Sequence, residues 1–158
     1  MKFHRMFTLL LALVLLPFAS PSEAGVITFR SPARVTVHNG SSAGGKLHIV
    51  FFAEGYRRSE MSRFRNDVET CLASLRSTTP FRENWSRIRV SMVRSVSAVS
   101  GVTVAGQPIR NTCFGATRTD RGFIDISDLI AFSIAMSKAP GCDIPIVLVN
   151  TNQWGGGG

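Results

Sequence analysis

The sequence has few of the residues from which enzyme and metal sites are most often recognised. It contains three histidines, three cysteines and one tyrosine in 158 residues. The cysteines, Cys71, Cys113 and Cys142, form no Cys-x-x-Cys pair, so zinc-ribbon and thioredoxin-type sites are not indicated. No His-Glu-x-x-His, P-loop or dinucleotide-binding motif is present. These residues by themselves therefore predict neither a catalytic residue nor a metal ligand.

Long apolar runs are also absent, except at the N-terminus. Lys2 and Arg5 precede an almost wholly apolar run of 13 residues at 6–18, and small residues follow up to Ala24. A membrane-spanning helix needs roughly 20 apolar residues, so a signal peptide is favoured over a membrane anchor. We predict a signal peptide over 1–24, cleaved after Ala24. The mature chain is then expected to be secreted or periplasmic, with no integral membrane segment.

Export changes what is expected of the cysteines, because thiols in an oxidising compartment can form disulfides. Cys113 and Cys142 lie in loop-like segments before and after a predicted helix and are the candidate pair. The sequence leaves open whether they lie close enough to bond. Cys71 lies on the apolar face of another predicted helix and is expected to be a buried small hydrophobic residue.

Lysine is scarce in a strongly basic chain. The formal net charge is +8, and only three of the 18 basic residues are lysine. The arginines are scattered along the chain, which we attribute mainly to a GC-rich genome. No basic stripe interleaved with aromatic residues is present, and export argues against nucleic acid as a partner.

Apolar and β-branched patterns predict strands within 25–39 and at 47–53, 88–93 and 144–149. The second and fourth segments are nearly continuous apolar runs, which is typical of strands buried on both faces. Residues 95–118 predict irregular chain with edge strands. We divide the mature sequence into N-terminal strands with a flexible loop at 25–46 and an α/β domain at 47–158.

Two helices are predicted between these strands. The first, at 59–76, has Ser59 as its N-cap and apolar residues spaced along one face. The second, at 125–138, has Asp125 as its N-cap and is apolar over most of its surface, so it is expected to be well buried. The order of strands and helices indicates an α/β fold with three layers and a largely parallel central sheet.

Four sequence blocks follow one another in a distinctive order. They are Ile49–Tyr56 with Glu60, Met61 and Phe64; Ser77–Phe81 with Ile88–Val90; Ser100-Gly101 with Asn111–Gly115 and Arg121; and Asp143–Asn150 with Trp154-Gly-Gly. Together they resemble the IgA-peptidase family of secreted bacterial zinc metallopeptidases, over about 47–158. The departures are Ala53-Glu54 in place of Gly-Asp, Asn111 where Asp is common, and Trp154 where Tyr is common.

The resemblance implies a zincin-like peptidase domain that acts on a protein or peptide substrate. In this family, a helix with His-Glu-x-x-His follows the glycine-rich stretch, and its histidines hold zinc while its glutamate acts as general base. The chain ends at Gly158, before such a motif. We therefore expect the N-terminal portion of the domain, truncated, inactive as it stands, with no catalytic residue and no zinc ligand. A frameshift or a truncated gene at the codons for 155–158 is our hypothesis for this ending.

The resemblance also supplies candidates for the substrate cleft. Asn150, Trp154 and Gly155 would lead into the active-site helix, and a plain strand-to-helix loop is the alternative interpretation. Glu54 and Tyr56, at the carboxyl end of a predicted strand, could face the cleft; the alternative, which we favour, is that they are turn and packing residues.

For the peptidase, residues 107–118 are a candidate sheet edge for a substrate strand to pair with.

A second function class stays open beside the peptidase. The alternative is a non-catalytic exported α/β binding module, or the product of a truncated gene, whose basic charge would favour anionic partners. Zinc content separates the classes, because a complete peptidase needs about one zinc per chain and this chain is expected to bind none tightly.

Overall fold

The computed structural model describes residues 28–153, which form a mixed α/β structure with two helices and two sheets. The predicted signal peptide, Trp154 and Gly155 lie outside these residues. The strands are β1 (Thr28–Asn39), β2 (Leu47–Glu54), β3 (Ile88–Val96), β4 (Thr103–Val104), β5 (Thr117–Arg118), β6 (Ile124–Asp125) and β7 (Ile144–Val149). The helices are α1 (Met61–Ser77) and α2 (Asp128–Lys138). Neither helix is long and apolar enough to cross a membrane.

The larger sheet has the strand order β1-β3-β2-β7. β2 pairs in parallel with both β3 and β7, and β1 pairs antiparallel with β3. The buried strand predicted from the apolar run at 47–53 is confirmed in β2, because a parallel strand between two neighbours is covered on both faces. Burial on both faces is wrong for the run at 144–149, because β7 lies at the end of the described sheet and has no buried residue. β2, β3 and β7 end at one edge of the sheet, at Glu54, Val96 and Val149. We call this the carboxyl edge.

β1 belongs to the same sheet as β2, although the sequence divides 25–46 from 47–158. Its predicted end at Asn39 is confirmed. Because β1 runs antiparallel to β3, Thr28 at its start lies opposite Val96 at the carboxyl edge. The N-terminal segment therefore contributes residues to this edge.

Alternate side chains of β2 enter two hydrophobic clusters on opposite faces of the sheet. Ile49, Phe51 and Ala53 belong to the first cluster, and Val50 and Phe52 belong to the second. The buried residues of α1 in the first cluster are Met61, Phe64 and Val68. The residues of α2 in the second cluster are Ile130, Ala131, Ile134 and Ala135. One helix thus packs on each face.

α1 confirms the predicted apolar face but begins later than expected. Ser59 lies in a 3-10 turn at Arg58–Glu60, and the α-helix starts at Met61. The Glu60 carboxylate accepts the Arg57 N–H at 2.8 Å and closes this turn, so Ser59 is not the cap. Cys71 is only partly buried, at the margin of the first cluster.

α2 departs further from the prediction. Asp125 lies in β6 opposite Thr117, so it cannot cap the helix, and Ser127 accepts the Ile130 N–H instead. The helix is also less buried than its composition indicates. Leu129, Phe132 and Met136 are 79%, 65% and 61% exposed, and Ile134 is its only buried residue.

The predicted irregular segment after β3 contributes to a small second sheet with the order β4-β5-β6. β5 pairs in parallel with β4 and antiparallel with β6. The expectation that 107–118 offers a free sheet edge is therefore wrong: 107–116 form no strand, and Thr117–Arg118 has a neighbour on each side.

Candidate functional site

Asn150 follows β7 at the carboxyl edge, and it is buried there. Its backbone N–H donates to the Glu54 carbonyl at 2.9 Å. Its Nδ2 donates to the Gly55 carbonyl and to Ser100 Oγ, both at 3.0 Å, and lies 3.4 Å from Glu60 Oε1. Asn150 therefore joins the end of β2, the start of α1 and the loop after β3. Its role in a substrate cleft stays a prediction. In the structure, its buried side chain helps to hold together the segments that form the carboxyl edge.

Glu60 holds the same junction from the side of α1. Its Oε1 accepts from Ser100 Oγ at 2.8 Å, and its Oε2 accepts from the Arg57 N–H. Burial opposes the charged form of Glu60, but these hydrogen bonds and the Arg57 charge outweigh it and lower the pKa of the carboxyl. Glu60 is thus held as a carboxylate.

Gly55 makes the close approach between two loops possible. Its φ is +72°, and a Cβ at this position would lie 2.2 Å from the Gly101 carbonyl oxygen. The Gly101 N–H donates to the Gly55 carbonyl at 2.9 Å. The sharp exit from β2 predicted from Gly55 is confirmed, because a side chain could not occupy this space.

Glu54 has a role that the sequence did not reveal. It is fully buried, and its Oε2 accepts the Phe114 N–H at 2.8 Å while its Oε1 accepts the Ala116 N–H at 2.9 Å. The Thr112 hydroxyl donates to the same Oε1. A carboxylate at the end of a buried apolar strand was the available signal, since buried charges require partners. Glu54 fixes the loop that leads into β5.

A chain of polar contacts reaches the last described residues. Tyr56 is buried, and its hydroxyl donates to Asp67 Oδ2 at 2.8 Å. Arg63 Nε lies 3.8 Å from the same carboxylate oxygen, while Arg63 Nη2 donates to Asn152 Oδ1 at 2.9 Å. Burial raises the pKa of Tyr56 far above its ordinary value, so its hydroxyl stays protonated. α1 therefore holds the chain that leaves β7 toward Trp154.

The described residues do not fit a zinc site. They contain no group of three or more His, Cys, Asp or Glu side chains that could hold a metal ion. His48 already bonds through both ring nitrogens, to the Gly141 carbonyl and Ser91 Oγ. His38 stacks on Trp85, with ring centroids 4.4 Å apart. No catalytic step through zinc can be assigned to these side chains.

His48 makes folding sensitive to mild acid. Burial lowers its pKa, and the charges of Arg89 and Arg34 lower it further, while the Gly141 hydrogen bond and Asp143 oppose the shift. The unfolded chain therefore binds a proton that the folded chain resists. We predict that the free energy of unfolding falls as the pH drops below about 6.5.

Urea midpoints between pH 8 and pH 5 test this prediction. The His48→Gln variant should lose part of the decline that the native chain shows over this interval. Equal slopes for the two proteins would contradict the assignment to His48.

The cysteines proposed for a disulfide are both free thiols in the structure. Cys113 is buried in the second cluster, and the partly buried Cys142 packs against that cluster. Burial raises the pKa of Cys113 to about 11 and raises that of Cys142. The disulfide stays a prediction.

The loop at 40–46 contains a serine-hydrolase sequence pattern that was not recognised from the sequence. Gly40-Ser41-Ser42-Ala43-Gly44 has the Gly-x-Ser-x-Gly pattern. This pattern supports a hydrolase when a sharp turn from a strand to a helix exposes the serine. Here the loop joins two strands, and Ser42 Oγ accepts only the Gly44 N–H, at 3.3 Å, among the described residues. The match therefore does not indicate a serine nucleophile.

A comparison with protein-family models shows which family this chain belongs to. The family model described as IgA Peptidase M64 matches residues 35–158, which is well over half of the chain. The chain belongs to the IgA Peptidase M64 family. The match begins within β1 and includes β2 to β7 and both helices, so it covers the carboxyl edge. Peptidases of the M64 family are metal-dependent. A search of curated proteins gives no match.

Proposed function

We propose that this chain forms the N-terminal part of the peptidase domain of an exported zinc metallopeptidase, which hydrolyses peptide bonds. The observation that carries the proposal is the M64 family match over 35–158. The packing of α1 and α2 on opposite faces of the sheet supports a three-layer, zincin-like architecture. The predicted signal peptide supports a secreted or periplasmic location.

The carboxyl edge is the part of this scaffold that we assign to the substrate cleft. In open α/β sheets, ligands bind outside the carboxyl ends of the strands. Asn150 and Asn152 lie here, and Trp154 and Gly155 follow them in the sequence. We infer that a protein or peptide substrate passes along this edge.

The chemistry of the described residues favours positioning over catalysis. The side chains of Glu54, Glu60 and Asn150 are engaged in hydrogen bonds that hold the edge together. When bound, zinc would be held by the His-Glu-x-x-His helix that the family resemblance implies, because the described side chains include no group that fits a metal ion. The side chains described above keep that edge in one shape.

The test uses the protein isolated from its natural source. We expect about one zinc per chain by elemental mass spectrometry, and hydrolysis of a fluorescent casein substrate that a zinc chelator abolishes. A natural product with neither zinc nor hydrolysis would contradict the peptidase proposal and favour the non-catalytic exported binding module.

A substitution in the natural protein tests the role of Asn150. Asn150→Ala removes the donor to Gly55 and Ser100, so the turnover of casein should fall about tenfold. Asn66→Ala, an exposed asparagine on α1, is the matched control and should leave turnover unchanged. Equal turnover in both variants would contradict a positioning role for Asn150.

A further inference from the structure

Three arginines from two distant parts of the chain line one cavity at the carboxyl edge. The cavity has a volume of about 720 Å³. Arg30 comes from the start of β1, and Arg57 and Arg58 come from the turn before α1. Ser59 and Ser97 also line it. The antiparallel pairing of β1 with β3 brings Arg30 to the end of the sheet where β2 and β3 finish.

The charge of this cavity is not balanced within its walls. Its lining includes no aspartate or glutamate among the described residues. Arg57 Nε lies 3.6 Å from Glu60 Oε2, whereas Arg30 and Arg58 form no ion pair within the described chain. All three arginines are exposed. An open cavity lined by positive charges attracts an anion.

A fourth arginine adds to the positive field. Arg94 donates from Nε to the Pro32 carbonyl at 2.9 Å, which fixes its guanidinium beside β1. Burial lowers the pKa of Arg94, and the nearby charge of Arg30 lowers it further. Arg30 therefore lies beside a like charge, and a bound anion would relieve the repulsion between them.

The cavity is linked to the junction around Asn150 through one side chain. Glu60 Oε2 accepts a hydrogen bond from the Arg57 N–H. Glu60 Oε1 accepts a hydrogen bond from Ser100 Oγ and lies close to Asn150 Nδ2. The arginine cavity thus lies on the edge that we assign to the substrate. Its volume is in the range of clefts that bind ligands.

We propose that the cavity lined by Arg30, Arg57 and Arg58 binds the carboxylate side chain of an aspartate or glutamate in a peptide substrate. Guanidinium groups bind carboxylates through paired, charge-assisted hydrogen bonds. The inference rests on the proposed peptidase function, and it adds a preference for substrates that carry an acidic residue near the cleaved bond.

Fluorescence anisotropy of labelled peptides tests the inference in the natural protein. The probes are fluorescein-labelled Gly-Ser-Glu-Glu-Ser-Gly and the same peptide with Gln in place of Glu. The native protein should bind the Glu peptide about tenfold more tightly. The Arg30→Gln, Arg57→Gln, Arg58→Gln triple variant should lose this preference.

A second triple variant separates local recognition from overall charge. Arg76→Gln, Arg87→Gln and Arg121→Gln remove the same charge from exposed positions outside the cavity. This control should keep the Glu preference. An equal loss in both triple variants, or equal affinity of the native protein for the two peptides, would overturn the proposal. So would binding to phosphatidylglycerol vesicles that depends on the three cavity arginines without any Glu preference.

Circular dichroism establishes that each variant is folded. If the triple variant does not fold, Arg58→Gln alone should weaken binding of the Glu peptide several-fold, and unchanged binding would overturn the proposal. Hydrolysis without a Glu preference would refute the cavity assignment alone. A Glu preference in a protein without zinc or hydrolysis would contradict the peptidase and leave an acidic-peptide binding site.

Discussion

Replacing Phe64 with alanine is expected to lower the free energy of unfolding by about 3–5 kcal/mol. Phe64 is fully buried on α1, and its ring centroid lies 5.2 Å from that of Tyr56. The substitution removes a large apolar side chain and leaves a cavity between α1 and the sheet. Urea denaturation at pH 7, followed by circular dichroism, measures the change.

Phe132→Ala is the matched control, because it makes the same chemical change on the other helix. Phe132 is 65% exposed, so its removal should change the free energy of unfolding by no more than about 0.5 kcal/mol. Similar losses for the two variants would show that α2 is covered as well as α1, and would contradict the described packing.

Replacing Glu54 with alanine is expected to destabilise the protein by about 2–6 kcal/mol. The substitution leaves the buried Phe114 and Ala116 N–H groups without their acceptor, and each unsatisfied group costs about 1–3 kcal/mol. Hydrogen exchange at these two amides should become faster than at Val50 in β2. Urea denaturation and amide exchange measured on the same samples check both expectations.

Glu69→Ala provides the comparison for this carboxylate. Glu69 accepts from Arg65 at 2.8 Å on the exposed side of α1, and such surface pairs contribute about 0–1 kcal/mol. A Glu54→Ala protein as stable as Glu69→Ala, with slow exchange at Phe114 and Ala116, would mean that Glu54 does not hold this loop.

The sequence was most informative where burial leaves a simple pattern. Continuous apolar runs located β2 and β7. For β2 the reason is burial, because a strand between two parallel neighbours is covered on both faces. β7 lies at the end of the described sheet and is only partly buried, so its run predicted a strand but not its burial. The spacing of Met61, Phe64 and Val68 located the buried face of α1. These signals depend only on residues that are close in the sequence.

The errors at α2 come from the limits of the same signals. Asp125 and Ser127 both suit a helix start, and the pairing of Asp125 with Thr117 in the second sheet decides between them. Apolar composition indicated that α2 could be buried. It did not indicate that neighbouring elements cover Ile134 and leave Phe132 exposed.

The site depends on contacts between distant segments, which composition and periodicity do not reveal. Arg30 and Arg58 belong to different parts of the chain, and the scattered arginines gave no sign of a shared cavity. Glu54 could be recognised as a charge at the end of a buried strand. Its bonds to Phe114 and Ala116 depend on how the later loop returns to β2.

We propose that this scaffold belongs to a zinc peptidase whose catalytic helix follows the glycine-rich segment. The most direct test is to sequence the gene through the codons for Gly155–Gly158 and several hundred bases beyond, in all three reading frames. We expect a His-Glu-x-x-His motif in one of these frames. A verified stop with no such motif in any frame would contradict it.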